Sequence, residues 1–373
     1  MNKNKIIKYI LINSIYFPYW ISKFLLTIIL LLRFGFYEKD RQTRLCIEAG
    51  IKGWESIEFK EYYQSAVEYL SESQVYKLEL SSNENYYKKI KDHIINNQIT
   101  HYFYDPRTGS QSFLRAIFES IRVAIVLSWY GVVPIALATD LSVRRWRYQV
   151  SIVTAVTGLV VCFMSVKKIH SIFPHERIIG PCLMPFSIKT QKIIETLIDN
   201  KKPNIIPRVI FSGSLYEPRT TILNEIQNGL KEKGINFEIL GRNIGGPRVS
   251  DFDYWERFVN ADVVLTTSDQ MIQDGTDLTE VPHLIYRYLE VLTCGSLLVA
   301  QDVPAIRRFF IPGQDFIPFD SSQSAITEIS KIFKNRDRYN SLSKSGNKKA
   351  CSLIDAKVFW ILIDAKLGRH SLY

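Results

Sequence analysis

The stretch LIYRYLEVLTCGSLLVAQDVPAIRRFF, residues 284–310, decides how the chain is read. It opens with a helical pattern that carries Arg287 and Glu290 and stops at Cys294-Gly295. A short apolar strand, SLLVA (296–300), follows at once, and then a loop with Pro304. Helix, glycine stop and fully apolar strand in that order make one step of a parallel α/β sheet. In such a sheet Glu290, about one turn before the helix-ending Gly295, faces the carboxyl ends of the strands, where ligands of this architecture bind.

Working outward, the same alternation repeats. FIPF (316–319) reads as a strand and 324–335 as a helix on the carboxyl side. On the amino side lie strand RVIFSGS (208–214), helix 220–233, strand NFEILG (236–241), helix YWERFVNA (254–261) and strand DVVLTTS (262–268). An earlier series precedes it. Helix 55–71, strand QVYKLEL (74–80), helix NYYKKIKDHIINN (85–97), strand ITHYFYD (99–105) and helix 113–129 come first. Strand VVPIALATD (132–140), helix 143–156 and strand GLVVCFMS (158–165) complete it. Alternation of this kind marks βαβ units. NKKPNIIP (200–207), with two prolines and two lysines between apolar patterns, reads as the linker. The predicted fold is α/β, with two tandem Rossmann-like domains, 41–200 and 201–346, facing across a cleft. Residues 347–373 make a helical tail, with Phe359 and Trp360 as packing anchors.

Length agrees with two domains, because 373 residues exceed the roughly 250–300 that one core organises. A chain 46% apolar and 13% aromatic is not a disordered one. The net charge of +10 favours an anionic partner: nucleotide phosphates, acidic lipid headgroups or nucleic acid. Cys46, Cys162, Cys182, Cys294 and Cys351 are scattered and form no C-x-x-C pair, which excludes a zinc ribbon or disulfide framework and fits a reducing compartment.

Residues 1–40 form a hydrophobic, basic segment. Its uninterrupted apolar run covers 24–32 alone, because Pro18 and Lys23 break the longer stretch. That is short of the roughly 20 residues a spanning helix needs. Residues 1–45 hold eight Lys or Arg against Glu38 and Asp40, a net of +6. A basic, aromatic, Leu/Ile-rich segment suits an interfacial anchor on anionic lipid. A single span and a buried core helix are the other readings. No small-residue cleavage site follows Leu32, so a cleaved signal is not expected.

G-x-G-x-x-G after a first strand, the P-loop and G-x-S-x-G are all absent, which argues against nicotinamide enzymes, P-loop NTPases and α/β-hydrolases. SGSLYEPR (212–219) is more informative. Gly213 permits close backbone approach at a strand end, and Arg219 opens the next helix, where backbone N–H groups and the dipole favour anions. A guanidinium there clamps two phosphate oxygens; an ordinary turn with a solvated arginine is the plainer reading. Arg242, at the next strand end, is a second phosphate candidate, with Gly245-Gly246 just beyond. The Glu290 carboxylate suits two vicinal ribose hydroxyls, although with Arg287 it also makes an i,i+3 pair.

In the first series two strand ends carry acids. Asp105, in THYFYDPRTGSQS (100–112), and Asp140, in ATDLSVRRWR (138–147), are candidate bases toward an acceptor hydroxyl. Turn and helix-capping roles compete with both. Arg144, Arg145 and Arg147 read as phosphate ligands or as a basic helix face, and His175 as a surface residue near the crevice. Asp251 or Asp253 reads as a helix N-cap rather than a metal ligand. The six histidines show no ligand spacing, so no metal site is expected.

Residues 208–346 resemble the donor-binding half of GT-B glycosyltransferases, most of all the group 1 enzymes and their spore-maturation-protein-like relatives. The pattern is a strand ending G-S-x-x-x-x-R, an nADVVLTTS-type strand, then R-x-x-E-x-x-x-x-G before a strand. Gly213, Arg219, Ser268, Arg287, Glu290 and Gly295 fill it here. The resemblance implies nucleotide-sugar binding, with Arg219 near the diphosphate and Glu290 on the ribose. It covers the second domain; the first matches in architecture alone. One departure stands out. The E-x7-E pattern of many retaining members needs a carboxylate at 282, which is Pro282, with Asp277 and Glu280 nearby.

The expectation is therefore a metal-independent, hexosyltransferase-like enzyme without a cofactor, whose co-substrate is a nucleoside-diphosphate sugar. The anchor points to a lipid-linked or envelope-polysaccharide acceptor at the cytoplasmic face of the plasma membrane. A nucleotide-sugar epimerase, a phosphorylase and an inactive GT-B-like binding protein are the alternatives. No nucleic-acid module is present in the sequence.

Overall fold

The computed structural model describes residues 42–51, 57–80, 86–106, 113–138, 158–163, 178–243, 249–268 and 284–368, together with Trp20, Ile21, Phe24, Leu25, Ile28 and Ile152. These residues divide into two compact units. One holds the described residues up to Cys182 and from Ala356 onward; the other holds those from Leu183 to Asp355.

In the first unit six strands lie in the order β2-β1-β3-β4-β5-β6. They are β1 (Leu45–Ile51), β2 (Val75–Leu80), β3 (His101–Tyr104), β4 (Val133–Ala138), β5 (Leu159–Cys162) and β6 (Ile178–Ile179). Every pairing is parallel. Helices α1 (Ile57–Tyr69), α2 (Tyr86–Asn97) and α3 (Phe113–Trp129) connect the first four strands. Ile90, Ile94, Val123, Val126 and Leu127 of α2 and α3 bury against Cys46, Tyr102, Tyr104 and Ala136 of the sheet. Strand β1 is absent from the sequence reading, because Glu48 and Gly50 break the apolar run of LCIEAGI. It is a strand because β2 and β3 supply its ladder on both sides. The phenol of Tyr102 donates to buried Glu48 at 2.9 Å.

In the second unit five parallel strands lie in the order β11-β10-β9-β7-β8. They are β7 (Val209–Leu215), β8 (Phe237–Asn243), β9 (Val263–Thr266), β10 (Leu297–Gln301) and β11 (Ile317–Phe319). The helices are α4 (Ile188–Asp199), α5 (Arg219–Lys231), α6 (Asp251–Val259), α7 (Tyr286–Thr293), α8 (Ser322–Lys334) and α9 (Arg336–Leu353). Leu223, Ile226 and Leu230 of α5 share a core with Ala325, Ile326 and Ile329 of α8 over Val209, Phe211, Leu265 and Val299. Helix α7 packs against α6 and α9.

The segment read as the linker lies inside this second unit, tied to the amino edge of its sheet. Asp262 accepts from Asn204 Nδ2 at 2.7 Å, from the Arg208 backbone N–H at 2.8 Å and from Arg336 Nη2 at 3.0 Å. Lys201 Nζ donates to the Ala261 carbonyl at 3.0 Å. The tail divides as well. Helix α9 stays with the second unit, whereas α10 (Ala356–Leu367) returns to the first. There Phe359 and Trp360 meet Tyr62 and Phe103, and the Trp360 indole donates to Ser65 at 3.0 Å.

Helix α7 ends as its sequence predicts. Gly295 has φ +74°, and an added Cβ there meets nothing nearer than 3.9 Å. The requirement at 295 is thus conformational rather than steric. Gly295→Ala is expected to lower stability by about 1 kcal/mol, read as a shift in the urea midpoint at constant slope.

Candidate functional site

Strand order places the site before any side chain is considered. From β7 the chain steps to β8 on one side and then to β9 on the other. The gap between β7 and β9 is therefore the topological switch point of the second sheet, and the carboxyl ends of strands at such a point are the binding position of doubly wound folds. The paired residues of β7 and β9 are Val209–Val263 and Ile210–Val264, near the amino edge. The strand ends beyond them are joined by side chains.

Arg219 makes that join. It is the first residue of α5 and is 9% exposed. Its Nε donates to Thr267 Oγ1 at 2.8 Å, its Nη1 to the Ser214 carbonyl at 3.1 Å and its Nη2 to the Thr267 carbonyl at 3.3 Å. The guanidinium carbon lies 4.2 Å from the Tyr216 ring centroid. Arg219 is therefore a buried staple between the ends of β7 and β9, and the solvated-turn reading does not describe it. No side chain caps α5, whose N-cap is Pro218. Its first-turn N–H groups and positive dipole end stand at the same strand end.

The neighbouring positions build outward from this staple. Ser268 is buried, and its backbone N–H donates to Gln301 Oε1 at 2.9 Å, which ties the end of β9 to that of β10. Tyr288 OH donates to the Gln301 carbonyl at 2.8 Å and fixes α7 to the same edge. A Cβ on Gly213 would crowd the Phe211 ring, 3.1 Å from its Cζ, and would meet Arg287 Nη2 at an ordinary 3.8 Å. Arg242 is level with Ser214 in the β7–β8 register; its side chain is outside the described residues.

Glu290 is 2% exposed. Tyr254 OH donates to its Oε1 at 2.7 Å, and Arg287 Nε stands 3.5 Å from its Oε2. The Arg287 guanidinium covers two aromatic rings of α6, 5.2 Å from the centroid of Tyr254 and 4.8 Å from that of Phe258. The i,i+3 pair read from the sequence is thus present, in a buried aromatic setting. The adjacent Cys294 thiol is pushed well up by burial and then by Glu290, which keeps it protonated and inert.

Helix α6 corrects one expectation. Its N-cap is Ser250, whose Oγ accepts from the Asp253 backbone N–H at 3.1 Å; Asp251 and Asp253 stand in the first turn. Among the described residues no group of three His, Cys, Asp or Glu side chains is placed to hold a metal ion. In the first unit Asp105 follows β3 directly and is half-buried. Burial, and after it Glu48 and Asp105, push the neighbouring Tyr104 phenol well above its usual range, so it stays protonated. Asp140, Arg144, Arg145, Arg147, His175, Gly245-Gly246, Asp277, Glu280 and Pro282 lie outside the described residues.

Sequence reasoning missed Thr267, Gln301 and Tyr254. A threonine at a strand end and a tyrosine on an amphipathic helix read as ordinary, and their partners are 33 to 48 residues away.

Comparison with known proteins bears on the fold. Residues 219–353 match the glycosyl transferase-like family model. Anabaena HepE, solved with UDP and glucose, is 10% identical; the match covers 87% of this chain and 98% of that one with a TM-score of 0.58. A glycosyltransferase from Rickettsia africae is 9% identical, over 88% and 100% of the two chains, with a TM-score of 0.53. A Listeria monocytogenes protein assigned as a UDP-N-acetylglucosamine 2-epimerase is 10% identical, over 88% and 96%, with a TM-score of 0.52. No curated protein sequence matches. Residues 219–353 thus match a glycosyltransferase-like model, and the chain as a whole shares its two-sheet α/β fold with these solved structures, consistent with GT-B architecture. The matches stop at that level and do not reach the spore-maturation-protein-like branch.

Arg219→Lys keeps the charge but loses the three-way grip on Thr267 and Ser214. It is expected to cost about 1–3 kcal/mol. An unchanged urea midpoint would show that Arg219 does not hold the strand ends.

Proposed function

We propose that the chain transfers a hexosyl group from a nucleoside-diphosphate sugar to an acceptor hydroxyl, without a metal. The observation that carries this reading is the buried Glu290 carboxylate beside Arg287, on the helix pinned to the switch-point edge through Tyr288 and Gln301. A carboxylate there accepts from the two vicinal hydroxyls of a ribose. Arg219 brings a guanidinium to the ends of β7 and β9, where a diphosphate would lie. The α5 N-terminus and Arg287 add positive potential at the same edge, and Arg242, level with Ser214 on β8, is the further phosphate candidate.

The reaction breaks the bond between the anomeric carbon and the diphosphate oxygen. The acceptor oxygen bonds to that carbon, and its proton passes to a base, for which Asp105 and Asp140 are the candidates. Charge grows on the departing diphosphate, and fixed cations and N–H groups stabilise it without reorganising. The solved neighbour HepE holds UDP and glucose, which supports a uridine-type donor for this fold. An epimerase is the second reading, favoured by the Listeria match; it would convert the nucleotide sugar with no acceptor.

The amino-terminal segment supports an acceptor held at a membrane, a lipid-linked or envelope glycan at the cytoplasmic face of the plasma membrane. Trp20, Ile21, Phe24, Leu25 and Ile28 recur at helical spacing, and each is at least 38% exposed. Among the described residues no helix is long and apolar enough to cross a membrane. An apolar helix face flanked by basic residues favours lying in the interface.

Calorimetric titration with UDP, GDP and ADP is expected to show binding of at least one. Glu290→Ala should weaken it by about 1–3 kcal/mol, whereas failure of all three to bind would end the reading. Removal of residues 1–36 is expected to abolish co-flotation with phosphatidylglycerol vesicles while leaving the thermal transition in place. Persistent flotation would reject the anchor.

A further inference from the structure

We infer that Tyr254 is a positioning residue of the donor site, fixing the Glu290 carboxylate in the orientation that accepts the ribose hydroxyls. The inference rests on the donor-binding reading above and adds to it a residue outside the resemblance pattern.

One side chain does two jobs here. The Tyr254 hydroxyl donates to Glu290 Oε1 at 2.7 Å, while its ring lies under the Arg287 guanidinium at 5.2 Å. Arg287 in turn stands 3.5 Å from Oε2 of the same carboxylate. Both carboxylate oxygens are thereby oriented from α6: one through the phenol, the other through a cation seated on the α6 rings. Each oxygen of an ionised carboxylate accepts about two hydrogen bonds. The phenol and the guanidinium therefore fix the plane of the carboxylate.

The ring itself is held. Trp255 and Phe258 meet Tyr254 edge-on, with centroids at 5.1 and 5.2 Å and interplanar angles of 83° and 87°. Trp255 is buried and packs on Phe186. The helix start is held too, because Ser250 caps α6 and its carbonyl accepts from the Tyr254 N–H at 2.9 Å. A phenol fixed at both backbone and ring presents its hydroxyl at one place. A catalytic or binding carboxylate needs that kind of support to keep its geometry.

The test compares Tyr254→Phe with the wild type. Phenylalanine keeps the ring, its edge contacts and the stack on Arg287, and removes the hydroxyl alone. The full chain is titrated with whichever of UDP, GDP and ADP it binds, and with the 2′,3′-dideoxy analogue of that nucleotide. The wild type is expected to prefer the ribonucleotide. Tyr254→Phe should lose about tenfold on the ribonucleotide, hold its affinity for the dideoxy analogue, and so collapse the preference. Glu290→Gln, with the shape kept and the charge removed, should collapse it as well. Circular dichroism and the thermal midpoint show whether each variant is folded. A merely structural tyrosine would move the midpoint and leave the ribose preference intact. The inference is overturned if folded Tyr254→Phe keeps the wild-type preference, or if the wild type binds both nucleotides equally. A wild type that binds none of the three nucleotides overturns the functional reading itself, a result distinct from either.

Discussion

The second unit depends on how its strand ends are held at the switch point, and a buried guanidinium holds them. Strands β7 and β9 pair at the amino edge and then turn to opposite neighbours. With no ladder joining their carboxyl ends, the twist of the sheet would let them separate. Arg219 bridges that gap with three hydrogen bonds to Ser214 and Thr267. A cation buried to this degree is tolerated because oxygens and the Tyr216 ring surround it. The same side chain therefore holds the two strand ends and places a positive charge between them.

Glu290 shows the complementary arrangement. A carboxylate 2% exposed would be costly alone, and here a phenol and a guanidinium face its two oxygens. Both come from, or rest on, helix α6. The partnership couples two helices that are neighbours in space and separate in sequence, so the orientation of the acid is a property of helix packing. Arg287 is close to Gly213 as well, within ordinary contact distance of a Cβ built there, although Phe211 is the neighbour such a Cβ would crowd. The arginine and the glutamate of the resemblance pattern are thus one physical unit, with the glycine in contact range.

Local chemistry was legible in the sequence wherever it was written locally. The glycine stop of α7, the apolar run of β10 and the arginine opening α5 were all read from adjacent residues, and each is where it was expected. Strand β1 was illegible because its buried Glu48 is satisfied by Tyr102, a partner 54 residues away. The linker reading failed for a related reason. Lys, Pro and Asn at 200–207 have the composition of a tether, yet Asp262 and Ala261 hold them to the sheet edge. At α6 the signal was present but shared. Ser250 and the two following aspartates all suit an N-cap, and the serine takes it while the acids sit in the first turn, where the dipole favours them.

The same division separates the proposed donor residues, which follow a motif, from the proposed acceptor residues, which do not. A nucleoside diphosphate presents fixed groups, a pentose diol and two phosphates, so the residues that meet it recur at fixed spacings along one chain segment. In this chain the residues of the resemblance pattern run from Gly213 to Gly295. An acceptor has no such constant part. The acids offered to it, Asp105 and Asp140, stand out by their place at strand ends and by nothing in the residues around them. In the first unit the buried polar groups Glu48, Tyr102 and Tyr104 gather at the level of Asp105 through the β1–β3 register, which pairs Ile47 with Phe103. Register is a product of folding, invisible to spacing, and the chemistry of the first unit is therefore written in tertiary structure rather than in motif.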